Sequence, residues 1–320
     1  MNASAPVTAP RSASLVSPQA LMSIRNLELR ARVVVEGFWT GIHRSPYHGF
    51  SVEFTEYRQY APGDDPRYLD WRVFARSDRY FIKRFEDETN LRCHILLDSS
   101  RSMTFGTTGY TKAEYAATLA ATLAQFLFLQ GDAVGLLTFD EQIREYLPPR
   151  HRTGHLRNLM LALEKPAGGN STDLSSPLKR VAEAVRKRGL VILISDFLAP
   201  VEKLEPHLVT LNACGHDVIV FQLLDPAEAS FNFRHASMFH DLESGRALFI
   251  EPDAARKEYL RKLESHGARL RSSCQRFGIA CHRLVTDRPL ELALFDFLRA
   301  RMQLGRRVLR VHRYRTGGRA

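Results

Sequence analysis

The stretch His94-Ile95-Leu96-Leu97-Asp98-Ser99-Ser100-Arg101-Ser102-Met103 decides the fold, because an apolar run stops abruptly at an aspartate and serines follow at alternate positions. A short continuous apolar run predicts a strand covered on both faces, and the change to small polar residues marks its carboxyl end. In open α/β sheets that is the end where sites are built. Asp98, Ser100 and Ser102 offer one carboxylate and two hydroxyls within a single turn, the hard-oxygen set that Mg²⁺ or Mn²⁺ prefers. The competing account is structural: Asp98 caps the following helix and the serines satisfy turn amides.

Two later stretches extend the pattern. Gly168-Gly169-Asn170-Ser171-Thr172-Asp173-Leu174 reads as a Gly-rich turn entering a helix, and Leu190-Val191-Ile192-Leu193-Ile194-Ser195-Asp196 is a second buried strand ending at an aspartate. Asp98-x-Ser100-x-Ser102, a threonine about seventy residues on and an aspartate after a further buried strand together resemble the metal-ion-dependent adhesion site of von Willebrand factor A domains. The resemblance implies that Ser100, Ser102 and Thr172 hold a Mg²⁺ or Mn²⁺ ion directly, while Asp98 and Asp196 hold it largely through water. It also implies an open coordination position filled by a partner's carboxylate. Ser171 is an alternative to Thr172, since two adjacent hydroxyls leave the register open.

Around these loops the chain alternates helix and strand. Helices are predicted over 113–130, 155–163, 174–187, 204–213, 253–277 and 290–303, and strands over 91–97, 133–139, 190–194, 218–224 and 279–285. Residues 142–147 are expected to add an edge strand ended by Pro148-Pro149. The result is a doubly wound, mostly parallel α/β sheet. Polar-aromatic pieces between 225 and 252 read as an inserted hairpin whose aromatic residues pack onto the body. Ahead of the sheet, Leu21, Ile24, Leu27, Leu29 and Val33 recur at helical spacing between Pro18 and Glu36, and residues 1–19 have too little apolar surface to fold. Their arginine- and serine-containing composition is like that of a transit peptide but lacks an amphipathic repeat.

Between helix and sheet lies Gly37-Phe38-Trp39-Thr40-Gly41-Ile42-His43-Arg44-Ser45-Pro46-Tyr47-His48-Gly49-Phe50, then Glu53-Phe54, Glu56-Tyr57-Arg58, Tyr60, Pro62-Gly63-Asp64-Asp65-Pro66-Arg67 and Leu69-Asp70-Trp71-Arg72. Pro-Gly-Asp-Asp-Pro is a tight turn by its residue chemistry, and 51–57 and 80–85 read as strands of a small β-rich lobe. The interleaved arginines and acids predict internal ion pairs, and His43 and His48 have no metal-pair spacing. From Gly37 through Met103 this sequence resembles the bacterial domain of unknown function 58 family, and more loosely so to the carboxyl end. That resemblance implies a von Willebrand factor A-like domain working beside a MoxR-type AAA+ ATPase in protein maturation or stress response. The expected organisation is a disordered start over 1–19, helix and β-rich lobe over 20–90, the von Willebrand factor A-like domain over 91–305 with its insertion at 225–252, and a basic tail over 306–320.

Composition bounds the function. The 44% hydrophobic and 25% charged fractions are those of a globular chain, and no apolar stretch reaches the length of a membrane span. Four cysteines without metal or disulfide-framework spacing point to a reducing cytoplasm. Of the net charge of +10, eight charges are arginines in the last twenty-two residues, which contain no acid. With Tyr314 the only aromatic there, specific nucleic-acid recognition is not expected. No Walker A loop, nucleophile elbow or H-E-x-x-H motif is present, so ATP hydrolysis by this chain and the common hydrolase chemistries are not expected. These readings converge on a non-enzymatic, Mg-dependent adaptor for an acidic protein client, with a metal-dependent phosphoesterase using the same loops as the alternative.

Overall fold

The computed structural model describes residues 16–44, 57–59, 81–83, 91–152, 154–169, 179, 188–233, 235, 237–240 and 247–301. The sheet is built from β3 (Arg92–Asp98), β4 (Ala133–Phe139), β5 (Ile143–Arg150), β6 (Leu190–Ser195), β7 (Asp217–Leu224) and β10 (Ala280–Val285). Its spatial order is β10-β7-β6-β3-β4-β5, parallel throughout except for β5, which is antiparallel to β4. The order reverses between β3 and β6, which makes their shared carboxyl end the topological switch point of a doubly wound sheet. Two shorter ribbons stand apart in sequence: β1 (Tyr57–Gln59) with β2 (Phe81–Lys83), and β8 (Ser237–His240) with β9 (Ala247–Ile250).

Helices cover both faces because successive strand residues point to opposite sides. Ile95 and Leu97 enter a core formed with α2 (Leu27–Arg44), α3 (Lys112–Leu129), α4 (His155–Leu163) and α8, residues 290–301. Leu96 points the other way, into a core with Leu204, Leu208 and Leu211 of α5 (Val201–Ala213) and Leu270 and Cys274 of α7 (Pro252–Arg276). α3 is buried nearly all round. Its Thr118 and Thr122 hydroxyls donate to the carbonyls of Glu114 and Thr118 at 2.8 and 2.7 Å, which satisfies them in an apolar setting.

Several expectations need correction. The single helix predicted from Pro18 breaks into α1 (Pro18–Met22) and α2, because Ser23 closes the first and Asn26 accepts the Leu29 amide at 2.8 Å to open the second. The unfolded start predicted over 1–19 is also too long at its end: Ser17 caps α1, and the Val16 amide donates to Glu291 at 3.2 Å. α2 continues through Gly37, where Phe38 packs edge-on against Phe126 and Phe295, so tertiary contact overrides the weak helix propensity of glycine. β5 runs through Pro148-Pro149 to Arg150, since an edge strand has an unpartnered side on which missing N–H groups cost little. Gly135 permits its irregular register: a Cβ there would lie 2.7 Å from the Leu147 carbonyl oxygen and the Pro149 nitrogen.

The inserted hairpin follows α6 (Pro226–Ser230), and only part of it packs as expected. Phe231 is buried with its ring centroid 4.5 Å from that of Tyr259, whereas Phe249 is 66% exposed. All four cysteines are free thiols, and no described helix is long and apolar enough to cross a membrane.

Candidate metal centre

Four strands deliver an aspartate to the same end of the sheet: Asp98 ends β3, Asp140 follows β4, Asp196 follows β6 and Asp225 follows β7. Each is buried. Asp140 is committed to an ion pair with Arg144. Asp98 and Asp196 flank the switch point, and they are joined there by Ser195, whose hydroxyl donates to Asp98 Oδ2 at 2.6 Å and accepts the Phe197 amide at 3.1 Å. Phe197 holds this turn at φ 52°, a left-handed conformation that costs a non-glycine residue energy and persists because its surroundings fix it. His266 anchors the same residue, its Nε2 lying 2.7 Å from the Phe197 carbonyl oxygen.

The Asp98 loop divides between the two roles set out from the sequence. Asp98 Oδ1 accepts the Ser100 amide at 2.8 Å, which is the structural role. Ser100 stands at the start of a 3₁₀ turn over Arg101–Thr104, yet its hydroxyl makes no capping bond and lies 3.1 Å from the Ser102 hydroxyl. Two side-chain oxygens are thereby left beside a buried carboxylate. The Gly168-Gly169 turn is pinned to this loop by amides donating to the Ser99 carbonyl at 3.2 and 3.1 Å. Gly168 has φ 149°, and a Cβ on Gly169 would fall 2.0 Å from Asp140 Oδ2, so both positions need glycine. Ser171 and Thr172, the third expected ligand position, lie outside the described residues.

Sequence reasoning missed the cation already in the cluster. Lys112 opens α3 with a fully buried ammonium that donates to Asp196 Oδ2 at 2.9 Å and to Glu228 Oε1 at 2.8 Å. A lysine in the first turn opposes the helix dipole, so Thr111-Lys112-x-Glu114 was a signal that this cation had carboxylate partners. Burial pulls its pKa down, but the Asp196 and Glu228 carboxylates outweigh burial and hold it above the usual lysine value. Glu228 Oε2 accepts the Asp225 amide at 2.8 Å, and Asp225 in turn accepts the Thr107 amide at 2.9 Å and its hydroxyl at 2.5 Å. Even with Lys112 in place, burial and then neighbouring Asp196 push Asp98 up to about 7, against the hydrogen bonds from Ser195 and Ser100. Of the two carboxylates at the switch point, only Asp196 is bonded to the Lys112 ammonium.

A divalent cation fits this chemistry. The donors are all hard oxygens, and a carboxylate strained by burial beside another carboxylate is relieved by added positive charge. Among the described residues no group of three or more His, Cys, Asp or Glu is arranged to hold a metal, so the fit depends on the serine hydroxyls. A cavity of about 1080 Å³ opens alongside, with Asp98, Ser99, Thr104, Thr111, Gly168 and Gly169 on its wall.

Sheet order and flanking helices define a doubly wound, mostly parallel α/β protein. The family model described as Protein of unknown function DUF58 matches residues 56–269, and the chain belongs to that family. Uncharacterized protein Rv1480 of Mycobacterium tuberculosis is 28% identical over 290 residues, spanning 89% of this chain and 90% of its own. Uncharacterized protein Mb1516 of Mycobacterium bovis matches with the same figures. Among solved structures, the conserved hypothetical protein BatB from Bacteroides thetaiotaomicron is similar with a TM-score of 0.44 and 15% identity, over 66% of this chain and 99% of that one. The SpRpn10 VWA domain is similar with a TM-score of 0.37 and 11% identity, over 63% and 92% of the two chains.

Proposed function

We propose that this chain is a non-enzymatic, cytoplasmic protein-binding adaptor that takes Mg²⁺ or Mn²⁺ through Asp98, Ser100, Ser102, Thr172 and Asp196. Its partners in this reading are an acidic protein client and a MoxR-type AAA+ ATPase, the latter drawn from the family resemblance alone. The observation that carries the reading is the pair of buried carboxylates from β3 and β6, joined through Ser195 at the switch point beside two uncapped hydroxyls. A bound divalent ion would supply an open coordination position for a client carboxylate. The chain's own part is to hold the oxygens in place: the 2.6 and 2.8 Å bonds to Asp98 fix both of its oxygens before any ligand arrives.

That same fixation argues against the phosphoesterase alternative. A general base must take a proton from water, and both Asp98 oxygens already accept hydrogen bonds, from Ser195 and from the Ser100 amide. Capture of client from a lysate of the source cell, with Mg²⁺ and with chelator, tests the adaptor reading. Client should be retained only with Mg²⁺ and lost on Ser100→Ala, at a stability cost of about 1 kcal/mol for the contacts of that buried hydroxyl with Ser102 and Asp98. Capture by Ser100→Ala at the wild-type level would remove the metal from the reading. Turnover of a generic phosphoester that disappears on Asp98→Ala would replace it with the enzyme.

A further inference from the structure

We infer that Lys112 is a built-in competitor for the divalent ion, an internal cation that occupies Asp196 and sets how tightly the centre takes metal. The inference rests on the metal-site reading above and adds a residue which that reading does not contain. The Lys112 ammonium has no exposed surface and bridges two carboxylates from different loops, Asp196 after β6 and Glu228 in α6. Asp196 Oδ2 is therefore already engaged by a positive charge, while Oδ1 accepts the Leu198 amide at 3.3 Å. A metal drawing on Asp196 must share that carboxylate with the ammonium, and like charges in a buried site repel strongly.

The alternative is that Lys112 is only a structural counter-ion. The arithmetic of charge separates the two. With every carboxyl counted as ionised, Asp98, Asp196, Glu228 and Lys112 sum to −2, and a centre with Lys112→Met and Glu228→Gln together also sums to −2. Lys112→Met by itself strands buried carboxylates and is expected to impair folding. The double substitution strands one carboxylate fewer, because Glu228 is neutralised as well, and it keeps the net charge while removing the ammonium from Asp196. If Lys112 competes, the doubly substituted full-length chain should bind Mn²⁺ at least about tenfold more tightly than wild type, because the nearest repelling charge is gone.

The experiment is titration of Mn²⁺ by calorimetry into wild type, the double variant and each of them carrying Asp98→Asn, with folding checked by circular dichroism. Tighter binding in the double variant that is lost with Asp98→Asn is the expected result. Binding in the double variant alone, with none in wild type, would support it further. Asp98-dependent binding of equal or lower affinity in the double variant would overturn the inference and leave the metal site standing. Absence of Asp98-dependent Mn²⁺ binding in both chains would overturn the inference and the metal site together.

Discussion

His94 lies on β3 four residues before Asp98, is 5% exposed, and is held down to about 4, first by burial and then by the charges of His216 and Arg92. A histidine kept neutral in the fold but free to protonate near 6.5 when unfolded stabilises the native state above that value. The stabilisation is lost as pH falls from about 6.5 to about 4, since the unfolded chain binds the proton first. With a shift of this size the loss amounts to about 3 kcal/mol. Urea unfolding at pH 7.5 and pH 4.5 should show most of that difference in wild type and a smaller one in His94→Leu. Equal pH dependence in the two would assign the acid sensitivity elsewhere. Reading the sequence was enough to place Asp98 and Asp196 at strand ends, because each closes an apolar run. It missed Lys112 and Glu228, because hydropathy assigns every lysine and glutamate to water and only their mutual pairing keeps them inside.

At the scale of elements, the parallel strands were legible nearly to the residue: β4 was expected over 133–139 and is found there, since burial on both faces leaves an uninterrupted apolar signal. The ends of elements were less so, because caps and tertiary contacts decide them, as Ser23, Asn26 and Phe38 show for α1 and α2. The Gly168-Gly169 turn is where local geometry bears most directly on the centre, since it leads into the segment that holds Ser171 and Thr172. Gly169→Ala would drive a methyl into the Asp140 carboxylate, which cannot swing away while Arg144 holds it. The expected cost is about 1–3 kcal/mol, as for other forced overpacking. Mn²⁺ affinity should fall as well, while Gly131→Ala, where a Cβ meets nothing within 4 Å, should leave Mn²⁺ binding unchanged despite some backbone strain at φ 84°. Loss of metal affinity in both variants would mean that affinity follows global stability and not this turn.

For the whole molecule, the distribution of charge separates two kinds of contact. Of the eight arginines in the last twenty-two residues, Arg301 belongs to the body, where it pairs with the buried Asp132 at 3.1 Å and donates to Gln130 at 2.8 Å. Residues 306–320 carry six arginines and no acid, so a chain ending at Gly305 falls from +10 to +4. Charges concentrated in that way act at long range, and exposed charges are screened over about 10 Å at 0.1 M ionic strength. A carboxylate coordinated to Mg²⁺ sits at about 2 Å with little solvent between, so raising salt should weaken it far less. The chain ending at Gly305 should keep its chelator-sensitive client, with Arg301 and the body's ion pairs in place. It should lose any association with nucleic acid or anionic vesicles that disappears between 50 and 300 mM NaCl, values chosen to shorten the screening length from about 14 Å to about 6 Å. If the truncated and still folded chain instead loses the chelator-sensitive client, the arginines belong to the main interface and the client's acidic surface must extend well beyond the single carboxylate at the centre.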